Sequence, residues 1–112
     1  MKFLNTRIFV CTQTMDMRKQ FDGLAAAAQE IVREDPLSGA LFVFGNKRGN
    51  RLKVLWWDKT GYALLSKRLH RAVFRLPSAM SPEDAHVQVD ALELQKILEG
   101  ISLPPKKRRT RY

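Results

Sequence analysis

Apolar and polar positions recur in different rhythms along this chain, and each change of rhythm marks an element. Thr6 to Cys11 is rich in β-branched and aromatic side chains and reads as a strand. Further on, Phe21, Leu24, Ala25, Ala28, Ile31 and Val32 fall at i, i+3, i+4, i+7, i+10 and i+11. That spacing places them on one face of an amphipathic helix, with Asp16 expected as its N-cap. The run from Ala25 to Ala28 adds helix propensity, whereas Gly23 costs up to about 1 kcal/mol against alanine. A close backbone approach would explain that glycine. Asp35-Pro36 should end the helix, because the residue before a proline resists the α conformation.

The middle of the chain changes to short apolar runs. Leu41 to Phe44 is a strand, and residues 45–50 form a turn-rich loop carrying two basic residues. Arg51 to Asp58 and Tyr62 to Leu69 form two strands around Asp58-Lys59-Thr60-Gly61. Asp first and Gly last suit a type I turn and a three-residue hairpin loop with a bulge. Val73 to Leu76 is expected to continue the sheet before Pro77. Ser81-Pro82-Glu83-Asp84 is polar turn or helix-start chemistry, and Val87-Gln88-Val89 is a short strand. Asp90 then caps a helix bearing Leu92, Leu94, Ile97 and Leu98, which Gly100 stops. The expected fold is α+β: a mainly antiparallel sheet with a central hairpin, one helix in the N-terminal half and one C-terminal helix. Residues 1–103 read as one globular domain, and residues 104–112 as a basic tail, disordered when unbound.

Strand periodicity assigns faces to the hairpin. With Asp58 opposite Tyr62, Trp56 opposes Leu64, Val54 opposes Ser66 and Leu52 opposes Arg68. The other face then holds Trp57 with Ala63, Leu55 with Leu65, and Lys53 with Lys67. Such a lysine pair is mildly destabilising alone, and a phosphate between the two would relieve it. A slip of one residue would remove the pairing. Trp56 and Trp57, being adjacent, must point to opposite faces. Either both faces of the sheet are covered, or Trp57 is free to stack on a base or a partner.

Charge sharpens this picture. The 112 residues carry a net charge of +9. It is not spread evenly: residues 1–46 balance five basic groups with five acidic ones. Residues 47–75 hold nine basic groups against Asp58 alone, and residues 76–103 hold five acids against Lys96. The tail adds five more basic groups. Charge gathered into one block and one tail is the footprint of a polyanion-binding surface. The competing account is a solvated basic surface. The residues expected to meet nucleic acid are Lys47, Arg48, Arg51, Lys53, Lys67, Arg68, Arg71 and Arg75 in the block. Lys106, Lys107, Arg108, Arg109 and Arg111 join them from the tail.

Other chemistry is sparse. His70 and His86 have no metal-ligand spacing around them, and nucleophile motifs, phosphate-binding glycine loops and zinc clusters are missing. Eleven carboxylates could in principle furnish a two-metal site, but the basic block holds one of them. Asp16 and Asp22 read as capping and surface charge. No catalytic residue, metal or cofactor is therefore expected. Cys11, the single cysteine, sits in an apolar run and reads as a buried small hydrophobe. No run approaches the roughly 20 apolar residues of a membrane span, and the N-terminal run is too short for a signal peptide. The expected location is the bacterial cytoplasm, on the nucleoid when bound to DNA.

Four segments carry a family likeness. They are Met15-Asp16-Met17-Arg18-Lys19-Gln20-Phe21-Asp22-Gly23-Leu24, Leu41-Phe42-Val43-Phe44, Lys53-Val54-Leu55-Trp56-Trp57-Asp58 and Leu98-Glu99-Gly100-Ile101. In this order and spacing they resemble the accessory proteins, called TnpB or second open reading frame products, of the insertion-sequence family numbered sixty-six. The likeness covers almost the whole chain. It implies a protein encoded beside a separate transposase and needed for transposition, and it carries over no catalytic residues. Two functions fit both likeness and charge. One is a non-catalytic accessory factor that binds DNA through the basic hairpin and tail. The other is an adaptor that docks on the cognate transposase or other element-encoded proteins, its basic face against an acidic surface.

Overall fold

The computed structural model describes residues 5–81 and 83–104. The strands are β1 (Ile8–Cys11), β2 (Leu41–Gly45), β3 (Arg51–Trp57), β4 (Tyr62–Arg68), β5 (Ala72–Val73), β6 (His86–Val89) and β7 (Ile101–Ser102). The helices are α1 (Phe21–Ala27), which runs on into a π-helical turn at Ala28–Val32, and α2 (Ala91–Glu99). Five strands form one sheet in the order β4-β3-β2-β1-β6. Only β1 and β2 are parallel within it, so the fold is α+β with a mainly antiparallel sheet.

α1 connects the two parallel strands and covers one face of the sheet. Leu24, Ala25, Ala28 and Val32 pack there on Phe9, Phe42, Phe44 and Leu55. α2 covers the other face, with Leu94 and Ile97 on Ile8, Val10, Leu41, Val43 and Val54. Both central strands are therefore buried on both sides, which is why they read as unbroken apolar runs. Trp56 packs into the α2-side core, and both indoles are half-buried.

The ends of α2 follow local sequence chemistry. Asp90 accepts the Glu93 N–H at 2.8 Å, and Gly100 ends the helix at φ 74°. A side chain at Gly100 would meet Leu69 at 2.7 Å and the Val73 carbonyl at 3.2 Å, so this turn requires glycine.

α1 departs from expectation at both ends. It starts at Phe21, with Gln20 at its boundary and no side-chain cap. Asp16 instead accepts the Arg18 N–H at 2.9 Å. The helix stops at Val32 with Arg33 in the left-handed region, before Asp35-Pro36 is reached. Phe21, placed on the apolar face by its spacing, is exposed, and so is Leu92 in α2. Beyond β4 the chain leaves the main sheet. Of the segment Val73 to Leu76 only Val73 is in a strand, and β5 pairs with β7 in a separate two-stranded sheet.

The hairpin register differs by one residue from that expected. Trp57 faces Tyr62, Leu55 faces Leu64, Lys53 faces Ser66, Leu52 faces Lys67 and Arg51 faces Arg68. The loop holds all four residues 58–61, closed by the Asp58 N–H on the Gly61 carbonyl at 2.8 Å. Burial decides the slip. It turns Tyr62 and Leu64 toward the α1-side core and sets Trp57 edge-on to Tyr62 at 5.1 Å. The lysine pair Lys53–Lys67 therefore does not form. Of the expected disordered tail, residues 105–112 lie outside the described residues.

Candidate nucleic-acid interface

Arg51 opens β3 and Arg68 closes β4, so the last cross-strand pair of the hairpin is two arginines, both exposed. The loop before Arg51 is tied to itself. Asn46 donates to Asn50 at 2.8 Å, and its Oδ1 accepts the Arg51 N–H at 3.0 Å. Lys47 and Arg48, between these anchors, are exposed. The segment after β4 is bound to the same loop by the Leu69 N–H on the Asn50 carbonyl at 2.8 Å and the Phe74 N–H on the Gly49 carbonyl at 2.7 Å. Arg71 adopts φ 53°, and its carbonyl accepts the Leu103 N–H at 2.9 Å. A non-glycine residue in this region stores roughly 1–3 kcal/mol of strain, a frequent mark of functional sites.

Two clefts result. One, of about 890 Å³, is lined by Arg48, Asn50, Arg68, His70, Arg71 and apolar neighbours up to Pro104. The other, of about 600 Å³, is lined by Asp16, Arg18, Asn46, Lys47, Arg48, Asn50, Arg51 and Arg68 with Met15 and Met17. Arg48, Asn50 and Arg68 belong to both and form the ridge where the clefts meet.

Five expected residues, Lys47, Arg48, Arg51, Arg68 and Arg71, are thus brought together. Others are placed elsewhere. Lys53 is buried, and its ammonium donates to the Lys19 carbonyl at 2.7 Å and to Gln20 Oε1 at 3.3 Å. Its charge is spent inside the protein, which corrects the expectation of a phosphate contact. Lys67 points to the α2 side and donates to the Leu98 carbonyl at 2.6 Å, where a cation suits the end of a helix. Arg75 is exposed but lines neither cleft. Trp57 lies six positions along β3 from Arg51, about 20 Å at the strand rise, so it does not stack within these clefts. Lys106, Lys107, Arg108, Arg109 and Arg111 lie outside the described residues.

Residues absent from the sequence-based set also line the clefts: Arg18, Asp16, His70 and the two asparagines. Arg18 sits far from the basic block in sequence, and its one signal was the Met15–Leu24 segment. Arg18 holds the Asp16 carboxyl down at about 2. Among the described residues no cluster of His, Cys, Asp or Glu could hold a metal ion, and no helix is long and apolar enough to cross a membrane.

The family described as IS66 Orf2 like protein matches residues 6–108. This chain belongs to that family. As an IS66 Orf2-like protein it has an insertion-sequence accessory role. It is similar to the uncharacterized protein y4hO of Sinorhizobium fredii, with 40% identity over 87% of this chain and 82% of that protein. It is also similar to the uncharacterized protein y4jC of the same organism, with 35% identity over 81% of this chain and 83% of that protein. No solved structure matches this IS66 Orf2-like chain.

Proposed function

We propose that this chain is a non-catalytic accessory factor of transposition that binds DNA across the two basic clefts. The observation that carries the reading is the cross-strand Arg51–Arg68 pair, which lines the second cleft and, through Arg68, reaches the ridge shared with the first. Like charges directly opposite one another on a sheet are unfavourable, and a phosphate lodged over them turns that repulsion into binding. Arg48 on the ridge and Arg71 in the first cleft extend the positive surface, and the tail adds further positive charge. Phosphate contacts of this kind position a protein without reading bases.

The test is a titration of labelled duplex DNA at increasing salt. Each neutralised phosphate contributes about −0.9 to the slope of log K against log salt, so five engaged cations give about −4.5. A slope near zero, or no binding at low salt, overturns the reading.

One observation favours docking on the cognate transposase as a second reading. A small apolar groove of about 240 Å³ lies between α2 and the edge strand β4, lined by Leu41, Val54, Trp56, Leu65, Leu94 and Leu98. An apolar side chain of a partner would fill it. Pull-down with the transposase, repeated with Leu65→Asp, tests this directly: capture that is lost in the variant supports it, and no capture of either form overturns it.

A further inference from the structure

Among the described residues, Asp16 is the one carboxylate lining a cleft otherwise dressed with Arg18, Lys47, Arg48, Arg51 and Arg68. Its two oxygens grip one edge of the Arg18 guanidinium. Nε donates at 3.1 and 3.0 Å and Nη2 at 2.7 Å. Guanidinium offers five donors in a rigid fork, so Nη1 and the outer hydrogen of Nη2 are left for something else. The Arg18 side chain is 91% exposed, and an ion pair that open to water adds little stability. What the grip does is fix direction.

The main chain beneath is equally constrained. Met15 is buried, and its N–H donates to the Gly45 carbonyl at 2.8 Å. Met17 packs on the α1-side core, and the Lys19 carbonyl is held by Lys53. An arginine held on an anchored segment could meet either a base edge or a phosphate. The Asp16 charge beside the fork would repel a phosphate. The major-groove edge of guanine is different: O6 and N7 are uncharged acceptors spaced to match the fork.

We propose that Arg18, aimed by Asp16, reads a guanine in duplex DNA lying across these clefts. The guanidinium donates to O6 and N7 while Arg48, Arg51 and Arg68 hold the backbone. Asp16 acts as a positioning residue. The inference rests on the DNA-binding reading and adds sequence preference to it.

The probe is a pool of short duplexes with a randomised centre, selected on the full-length chain. The expected result is enrichment of guanine at a fixed position. Replacing that guanine by 7-deazaguanine, which lacks the N7 acceptor, should weaken wild-type binding about tenfold. The same replacement should leave Arg18→Ala unaffected. Asp16→Asn keeps an acceptor for the Arg18 N–H but loses the charge that holds the fork. It should lower discrimination while binding to unselected duplexes holds or rises. Salt-dependent binding with no enriched base overturns this inference and leaves DNA binding standing, as does an Arg18→Ala loss equal on all duplexes. Absence of binding at low salt overturns both.

Discussion

Lys53 Nζ lies 2.7 Å from the main-chain carbonyl of Lys19, a contact across 34 positions of sequence. It ties β3 to the segment that carries Asp16 and Arg18, so a residue of the basic block shapes one wall of the cleft from inside.

Lys53→Ala should therefore destabilise the protein, because it leaves a buried cavity and two acceptors without their donor. The expected loss is about 2 kcal/mol. In melting temperature that is roughly 10 °C for a domain of this size. The salt slope of DNA binding should be unchanged, since no phosphate contact is removed. An unaltered melting temperature would mean that Lys53 is not held as described.

Arg51→Ala and Arg68→Ala should act in the opposite way. Each relieves a like-charge cross-strand pair, so stability should hold or rise slightly. Each should weaken binding to duplexes of any sequence. The double variant should lose about two units of the salt slope. Thermal melting and salt titration on the same preparations check both halves. Loss of stability with affinity intact would make the pair a structural feature.

Trp57→Ala should cost about 2 kcal/mol, since a half-buried indole loses its packing and its edge-to-face contact with Tyr62. Affinity for single-stranded DNA should stay the same. A variant that keeps its melting temperature and loses single-strand binding would show that Trp57 is a stacking platform instead.

The Asp16 carboxyl should titrate at about 2 in the folded protein, below its ordinary value of 3.8, first because Arg18 donates side-chain hydrogen bonds to it. A lowered folded value means that its contribution is fully present above the unfolded value. That contribution is lost as the pH falls through about 2. The pair therefore stays charged at neutral pH, and Asp16 adds no pH dependence to DNA binding there. Carboxyl NMR titration measures this. Arg18→Ala should return the midpoint to near 3.8, and a wild-type midpoint already there would show that the pair does not hold in solution.

Much of the fold was legible in local pattern. Helical spacing identified α1 and α2, and Asp90 and Gly100 marked the ends of α2, because caps and left-handed turns are chemistry of adjacent residues. The α+β class followed from the order of elements. The basic block was legible too, since charge is counted along the chain, and its cluster at Lys47, Arg48, Arg51, Arg68 and Arg71 reappears in space.

Tertiary structure alone decided the rest. Register turns on which face of β4 is buried, and a shift of one residue exchanged Lys53–Lys67 for Arg51–Arg68. Local turn chemistry allowed both alternatives. Packing against α1 favoured the one that buries Tyr62 and Leu64. The fate of each cation was likewise a matter of what lies above it. Lys53 found carbonyl oxygens and Lys67 found the end of α2, while Arg51 and Arg68 found open clefts. Arg18 reached the same cleft from a segment whose own sequence is electrically neutral on balance. Charge is a property of residues, but an interface is a property of distances, and those are set only when the chain closes on itself.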